Sequence, residues 1–285
     1  MYSDRKEKLQ SIFKDTMAQI KNEPKIKRAA HFSTQKTKLY DKNELPTINV
    51  APNRSGTVLV NRNKTFEAAK HIHKQYPEKK VAVLNFASAV NPGGGVAKGS
   101  SAQEESLCRC STLYCSLNQD ELWQKYYPVN RAMKNPIHTD ACIYSPDILV
   151  FKSDSAFPEM MSESEWFYVD VISCAAPNLR KRIGNAYNTE KGEAVRISTD
   201  ELYRIHLERA KHIFTVAIDN GVNCLVLGAF GCGAFENDPT VVARAYADAT
   251  AEFRKYFDLI EYAVFCRAFE TKNYDAFTLA FQSKR

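Results

Sequence analysis

No apolar run in the 285 residues approaches the roughly 18 that a membrane span requires, so a membrane-embedded chain is not expected. The opening stretch MYSDRKEKLQ lacks the apolar block of a secretory signal, which predicts a soluble, cytoplasmic protein. Biased tracts are missing too. With 44% hydrophobic and 25% charged residues, 11 Gly and 11 Pro, the composition excludes a disordered or collagen-like chain and leaves an ordinary globular one. The eight cysteines lack the dense, regular spacing of a secreted disulfide scaffold. Several sit inside apolar runs, where Cys acts as a small hydrophobe, so reduced thiols are expected. Cys108, Cys110 and Cys115 have neither a CxxC pairing nor a nearby His, and no metal or other cofactor is expected.

Neither sign of charge is in large excess, with 39 Lys/Arg against 33 Asp/Glu and a net charge of +6. Ten cations and four acids in residues 1–38 account for all of it. Such an arm can attract nucleic acid or another polyanion. It lacks interleaved aromatics and mixes its signs, which favours a solvated helical face, so nucleic acid is expected as a partner only through this arm.

Two regions are expected: residues 1–50, a helical extension and connector, and residues 51–285, the body. Leu9, Ile12, Phe13, Met17 and Ile20 repeat at helical spacing. Residues 21–56, polar and punctuated by Pro24, Pro46 and Pro52, read as a wrapping connector. Strands are then expected at 57–61, 81–86, 147–151, 166–174, 224–228 and 261–266. Between them come helices from Thr65, from Gln103 to Leu117, from Ser198 to near Gly221, from Asp238 to Phe257, and around Tyr274–Phe281, with a further inserted helix within 118–160. His71 and His73 fall on the helix from Thr65, away from the loops, and are read as surface residues. This alternation predicts a mostly parallel sheet covered by helices on both faces, with ligands outside the carboxyl ends of its strands.

Two glycine-rich loops lie at such ends. The first, NFASAVNPGGGVAKGSSAQEES (85–106), places three glycines after Pro92 and a helix just beyond, whose free N–H groups would face an anion. Gly94 to Gly99 has P-loop spacing, but Ser100 stands where the phosphate-binding lysine must be. Lys98 occupies the third glycine position of the dinucleotide pattern, so neither fingerprint applies. Glu104 and Glu105, adjacent at a helix start, compensate the helix dipole when taken alone. Ten residues past a triple glycine, one could hold a ligand hydroxyl while the other meets a reacting bond, as glycosidic chemistry requires. The second loop, GAFGCGAFEND (228–238), opens the backbone at Gly228, Gly231 and Gly233. Phe235 in its turn could stack on a ligand or plug the core, and the flanking glycines favour ligand contact. Cys232 has no His near it in sequence and is not expected to be a nucleophile.

Gly93-Gly94-Gly95, seven residues, then Gln103-Glu104-Glu105 resembles the signature of poly(ADP-ribose) glycohydrolases. The wider text, VLNFASAVNPGGGVAKGSSAQEESLCR with GAFGCGAFEND, is similar to the microbial type of that family. The resemblance covers most of the chain, including the N-terminal extension. It implies a three-layer α/β/α macrodomain with a mostly parallel mixed sheet and an N-terminal helical extension. It also implies cleavage of the ribose–ribose bond of poly(ADP-ribose), mainly from the chain end, without a cofactor. The partners it implies are ADP-ribose or its polymer and, through them, ADP-ribosylated proteins.

By the same resemblance, Glu105 is the catalytic acid and Glu104 binds ribose hydroxyls. Gly93, Gly94, Gly95 and Val96 line the catalytic loop, with Gln103 beside them. Gly231, Cys232, Gly233 and Ala234 bind the diphosphate, Phe235 positions the ribose, and Ser88 supplies a small polar contact. Asn178 lies in a region typical of the family and receives no contact. The loops are nearly free of Arg and Lys apart from Lys98, so the diphosphate is expected to rest on helix N-termini, which would also keep both carboxylates ionised in the empty site. Glu236 departs from the small residue expected after Phe235. It would weaken binding if it pointed inward and be harmless if it pointed to solvent. A mono-ADP-ribosyl hydrolase using the same pocket, or a non-catalytic ADP-ribose reader, remains an alternative at this point.

Overall fold

The computed structural model describes residues 2–41, 45–133, 135–184 and 192–282. Seven strands form one sheet among these residues: β1 (Lys38–Tyr40), β2 (Thr57–Asn61), β3 (Val81–Phe86), β4 (Cys142–Val150), β5 (Phe167–Cys174), β6 (Cys224–Leu227) and β7 (Leu259–Ala263), in the order β1-β4-β5-β3-β6-β7-β2. Both pairings of β4 are antiparallel and the other four are parallel. The sheet is therefore mixed and mostly parallel, as the alternation of elements predicts.

VAVLNF is a continuous apolar run because both of its faces are covered. Val81 and Val83 join a core with Phe66, Ile72, Leu107 and Leu113. Those residues come from α3 (Thr65–Gln75), α4 (Gln103–Cys110) and α5 (Leu113–Leu117). Ala82 and Leu84 face the opposite way, into a core with Phe214, Val242, Tyr246 and Phe277. That layer is built from α8 (Thr199–Asp219), α9 (Pro239–Phe253) and α10 (Lys272–Gln282). Ser198 accepts from Glu201 N–H at the start of α8, and Asp238 caps α9 with Pro239 in its first turn, as the sequence predicts.

Three expectations need correction. The first part of the connector is regular structure: α1 (Tyr2–Asn22) is followed by α2 (Pro24–Lys36) and then β1. Pro24 starts a helix rather than breaking one, and Ile26, Ala29, Ala30 and Ser33 bury its inner face. The helix expected from Gln103 to Leu117 is split, because Thr112 turns its groups towards the sheet. Thr112 N–H donates to Leu149 O at 3.1 Å, and its Oγ1 accepts from Leu149 N–H at 3.1 Å. Finally, the strand expected from 147 begins at Cys142. Pro146 would end a regular strand, but the register shifts between Ser145 and Ile148, with Asp147 at φ +51°, and this bulge absorbs the proline. The inserted helix within 118–160 is a pair, α6 (Asp120–Lys125) and α7 (Tyr127–Ala132).

Candidate active site

β3 and β6 are neighbours in the sheet, so the two glycine loops that leave their carboxyl ends flank one cavity of about 660 Å³. That size suits a ligand as large as a dinucleotide fragment. Ser88, Gly94, Gly95, Gln103, Glu104, Glu105, Gly231, Gly233, Ala234 and Phe235 all line it. Gly93, Val96 and Cys232 stand behind its wall. A Cβ on Gly93 would meet Tyr114, Val96 and Cys108, and Val96 is part of the core. Burial pushes the Cys232 thiol well up from its ordinary range, and its Sγ approaches Phe230 O at 3.6 Å. Such a thiol is not a nucleophile.

Gln103 opens α4 and ties it to the sheet. Its Oε1 accepts from Phe86 N–H at 2.9 Å, while Nε2 donates to Leu84 O at 2.8 Å and Thr65 Oγ1 at 3.1 Å. The next residue, Glu104, holds the start of the first loop, accepting from Ser88 N–H at 2.8 Å and from Asn85 Nδ2 at 3.4 Å. Gly93 N–H is a further donor to it. Glu105 Oε1 accepts from Gly95 N–H at 2.8 Å, and its buried Oε2 has no partner among the described residues. Gly94 makes this convergence possible. It has φ +56°, and a Cβ there would lie 2.6 Å from Glu105 Oε1 and 3.0 Å from Glu104 Oε2.

Burial, foremost, and then the neighbouring Glu105 charge raise the Glu104 pKa well above the usual carboxylate range, outweighing the hydrogen bonds from Ser88, Asn85 and Gly93. The expectation that helix dipoles keep both carboxylates ionised in the empty site therefore fails at Glu104.

The second loop carries main-chain amides without partners among the described residues. The N–H groups of Gly233, Ala234 and Phe235 donate to no group among the described residues, which leaves three consecutive donors for an anion. Asn237, buried and unnoticed in the sequence, holds the loop in shape. Its Nδ2 donates to Pro177 O at 2.7 Å, and to Gly231 O and Phe235 O at 3.1 Å each. Its Oδ1 faces His206 Nε2 of α8 at 2.8 Å, an acceptor role that assigns the ring proton to Nε2. Asn178 backs the same loop: its Oδ1 accepts from Arg180 Nε at 3.0 Å, and the Arg180 guanidinium lies 5.6 Å from the Phe235 ring centroid. Glu236 sits at φ +58°, exposed and outside the cavity wall, so its carboxylate points to solvent.

Lys98 is exposed and outside the cavity wall, whereas Arg5, Lys64, Arg109, Arg180 and Arg267 line it. All five lie outside the two glycine loops, which is why the loops alone suggest so few. Among the described residues no three His, Cys, Asp or Glu side chains cluster as metal ligands, and no helix is long and apolar enough to cross a membrane.

A doubly covered, mostly parallel sheet with a carboxylate pair at one loop and a row of unpartnered main-chain amides at the other is an α/β fold whose cavity carries the groups that glycosidic chemistry uses. Residues 6–153 match the microbial-type PARG (poly(ADP-ribose) glycohydrolase) catalytic domain, and the chain belongs to that family. It is 29% identical to the poly(ADP-ribose) glycohydrolase of Thermomonospora curvata solved with the inhibitor ADP-HPD, with a TM-score of 0.79 over 96% of this chain and 99% of that one. It is 31% identical to the Deinococcus radiodurans enzyme in complex with ADP-ribose, with a TM-score of 0.74 over 90% and 97%. No curated protein shows detectable similarity to the chain.

Proposed function

We propose that this protein hydrolyses the ribose–ribose O-glycosidic bond of poly(ADP-ribose), working from the chain end and releasing ADP-ribose, with Glu105 as acid and base. The observation that carries the assignment is the Glu105 carboxyl group on the cavity lining, held through one oxygen by Gly95 N–H while the other is buried and without a hydrogen-bond partner among the described residues. Its family membership and the ADP-ribose held by the Deinococcus relative supply the substrate class.

The diphosphate rests on the amides of Gly233–Phe235, and Phe235 packs against the ribose beside the scissile bond. Glu105 gives its proton to the leaving ribose hydroxyl as the glycosidic bond breaks. The resulting carboxylate takes a proton from the water that attacks the anomeric carbon, so one water is consumed and Glu105 ends as it began. Glu104, committed to Ser88, Asn85 and Gly93, fixes the first loop and presents the ribose-facing side of the pair. Proteins carrying the polymer are the macromolecular partners this activity implies.

Incubation with poly(ADP-ribose) and, separately, with a mono-ADP-ribosylated protein tests the reading. Release of free ADP-ribose from the polymer, leaving the protein-linked unit in place, is expected. Release from the mono-modified protein alone would make the enzyme a mono-ADP-ribosyl hydrolase, and binding without release would make it a reader.

A further inference from the structure

Arg109 lies one helical turn beyond Glu105 on α4 and is buried to 1% exposure. A guanidinium is tolerated there only with its donors paired, and here they reach three main-chain carbonyls. Nε donates to Leu9 O of α1 at 3.1 Å, and the Nη2 group donates to Val96 O at 3.4 Å and to Ser100 O. Val96 and Ser100 belong to the turn that Gly95 closes: Gly95 O accepts from Lys98 N–H at 2.9 Å and Ser100 N–H at 3.2 Å. Gly95 N–H, in turn, is the donor that holds Glu105. The loop of contacts closes through α1. Thr16 Oγ1 donates to Arg109 O at 2.7 Å, Gln10 Nε2 donates to Ala97 O at 3.4 Å, and Gly99 lies so near α1 that a Cβ would stand 2.6 Å from Lys6 O.

We propose that Arg109 is a positioning residue for Glu105: it fixes the 95–100 turn against α1, so that Gly95 N–H stays on the carboxylate and the N-terminal helix is a working part of the active site. Its effect on turnover rests on the reading of Glu105 as the catalytic acid. The amides proposed to hold the diphosphate lie on the other loop, so losing Arg109 should damage turnover far more than ligand binding.

Arg109→Met and Arg109→Lys, compared with the parent, test this through three readouts: kcat on poly(ADP-ribose), Kd for ADP-ribose by calorimetry, and hydrogen exchange of the amides in 95–100. Arg109→Met is expected to lower kcat by about 100-fold, the lower range for losing a well-placed proton donor. It should change Kd by about threefold or less, the scale of a small contact adjustment, and speed exchange at Gly95. Arg109→Lys should fall between, because an ammonium lacks the fork that spans three carbonyls. Parallel losses in kcat and affinity, or unchanged protection at Gly95, would overturn the proposal. If Arg109→Met does not fold, a Lys variant with parental kcat and protection overturns it equally. If the parent releases no ADP-ribose, the reading of Glu105 fails, and the exchange data still decide whether Arg109 holds the turn.

Discussion

Glu104 and Glu105 are neighbours in the chain, yet the fold gives one of them three donors and the other one donor with a free oxygen. Their placement after a triple glycine is plain in the sequence. The division of labour is not, because it depends on Asn85, a lone polar residue in an apolar strand, and on Ser88 and Gly93 main-chain groups with no sequence signal. Burial raises the Glu104 pKa, so the folded protein favours its protonated form. The sign follows. Near and below the ordinary carboxylate range both states hold the proton and nothing is lost, whereas above it only the unfolded chain gives the proton up freely, and stability declines as pH climbs towards the raised folded value. Glu104→Gln, which mimics the neutral form, is expected to melt higher than the parent at pH 7 and to lose that part of the pH dependence, as thermal melts from pH 4 to 8 would show. A lower melting temperature at pH 7 would mean that its hydrogen bonds outweigh the cost of burial.

The second loop illustrates the same logic at the scale of elements. Gly231 and Gly233 mark it in the sequence as an open backbone, and Asp238–Pro239 mark the helix that follows. What fixes its shape, the Asn237 side chain backed by His206 from α8, is invisible there, since one His in an amphipathic helix reads as an ordinary core or surface position. Burial lowers the His206 pKa to about 3, so the folded state needs the neutral ring that donates to Asn237. That contribution to stability is complete above the unfolded value near 6.5 and drains away as pH falls towards 3. His206→Gln keeps a donor without the titration. It is expected to retain ADP-ribose affinity within a few-fold while flattening the loss of stability between pH 6.5 and 4, measured by calorimetry and acid melts. Strands 57–61, 81–86 and 224–227 are legible from their apolar runs alone. The second helix, Pro24–Lys36, and the full length of β4 are not, because Pro24 and Pro146 read as breaks, while a helix start accommodates the first and a bulge the second.

Across the whole molecule, the fold brings Arg5, Lys64, Arg109, Arg180 and Arg267 to one cavity from parts of the chain that no local pattern connects. The alternation of strands and helices was enough to predict the layered architecture and the sheet edge where the cavity lies. The charge of the rim required the fold. A polyanionic substrate should feel that rim: kcat/KM on poly(ADP-ribose) is expected to fall as ionic strength rises, and Arg267→Glu should lower it and make the salt dependence shallower. A salt-independent kcat/KM would remove the rim from the account. The whole arrangement converges on a single carboxyl group, so the decisive measurement compares Glu105→Gln with the parent in polymer turnover and in ADP-ribose binding. A loss of about 10²–10⁴-fold in kcat with affinity nearly intact is predicted, the range for removing a general acid and base. A variant that still releases ADP-ribose at the parental rate would contradict it.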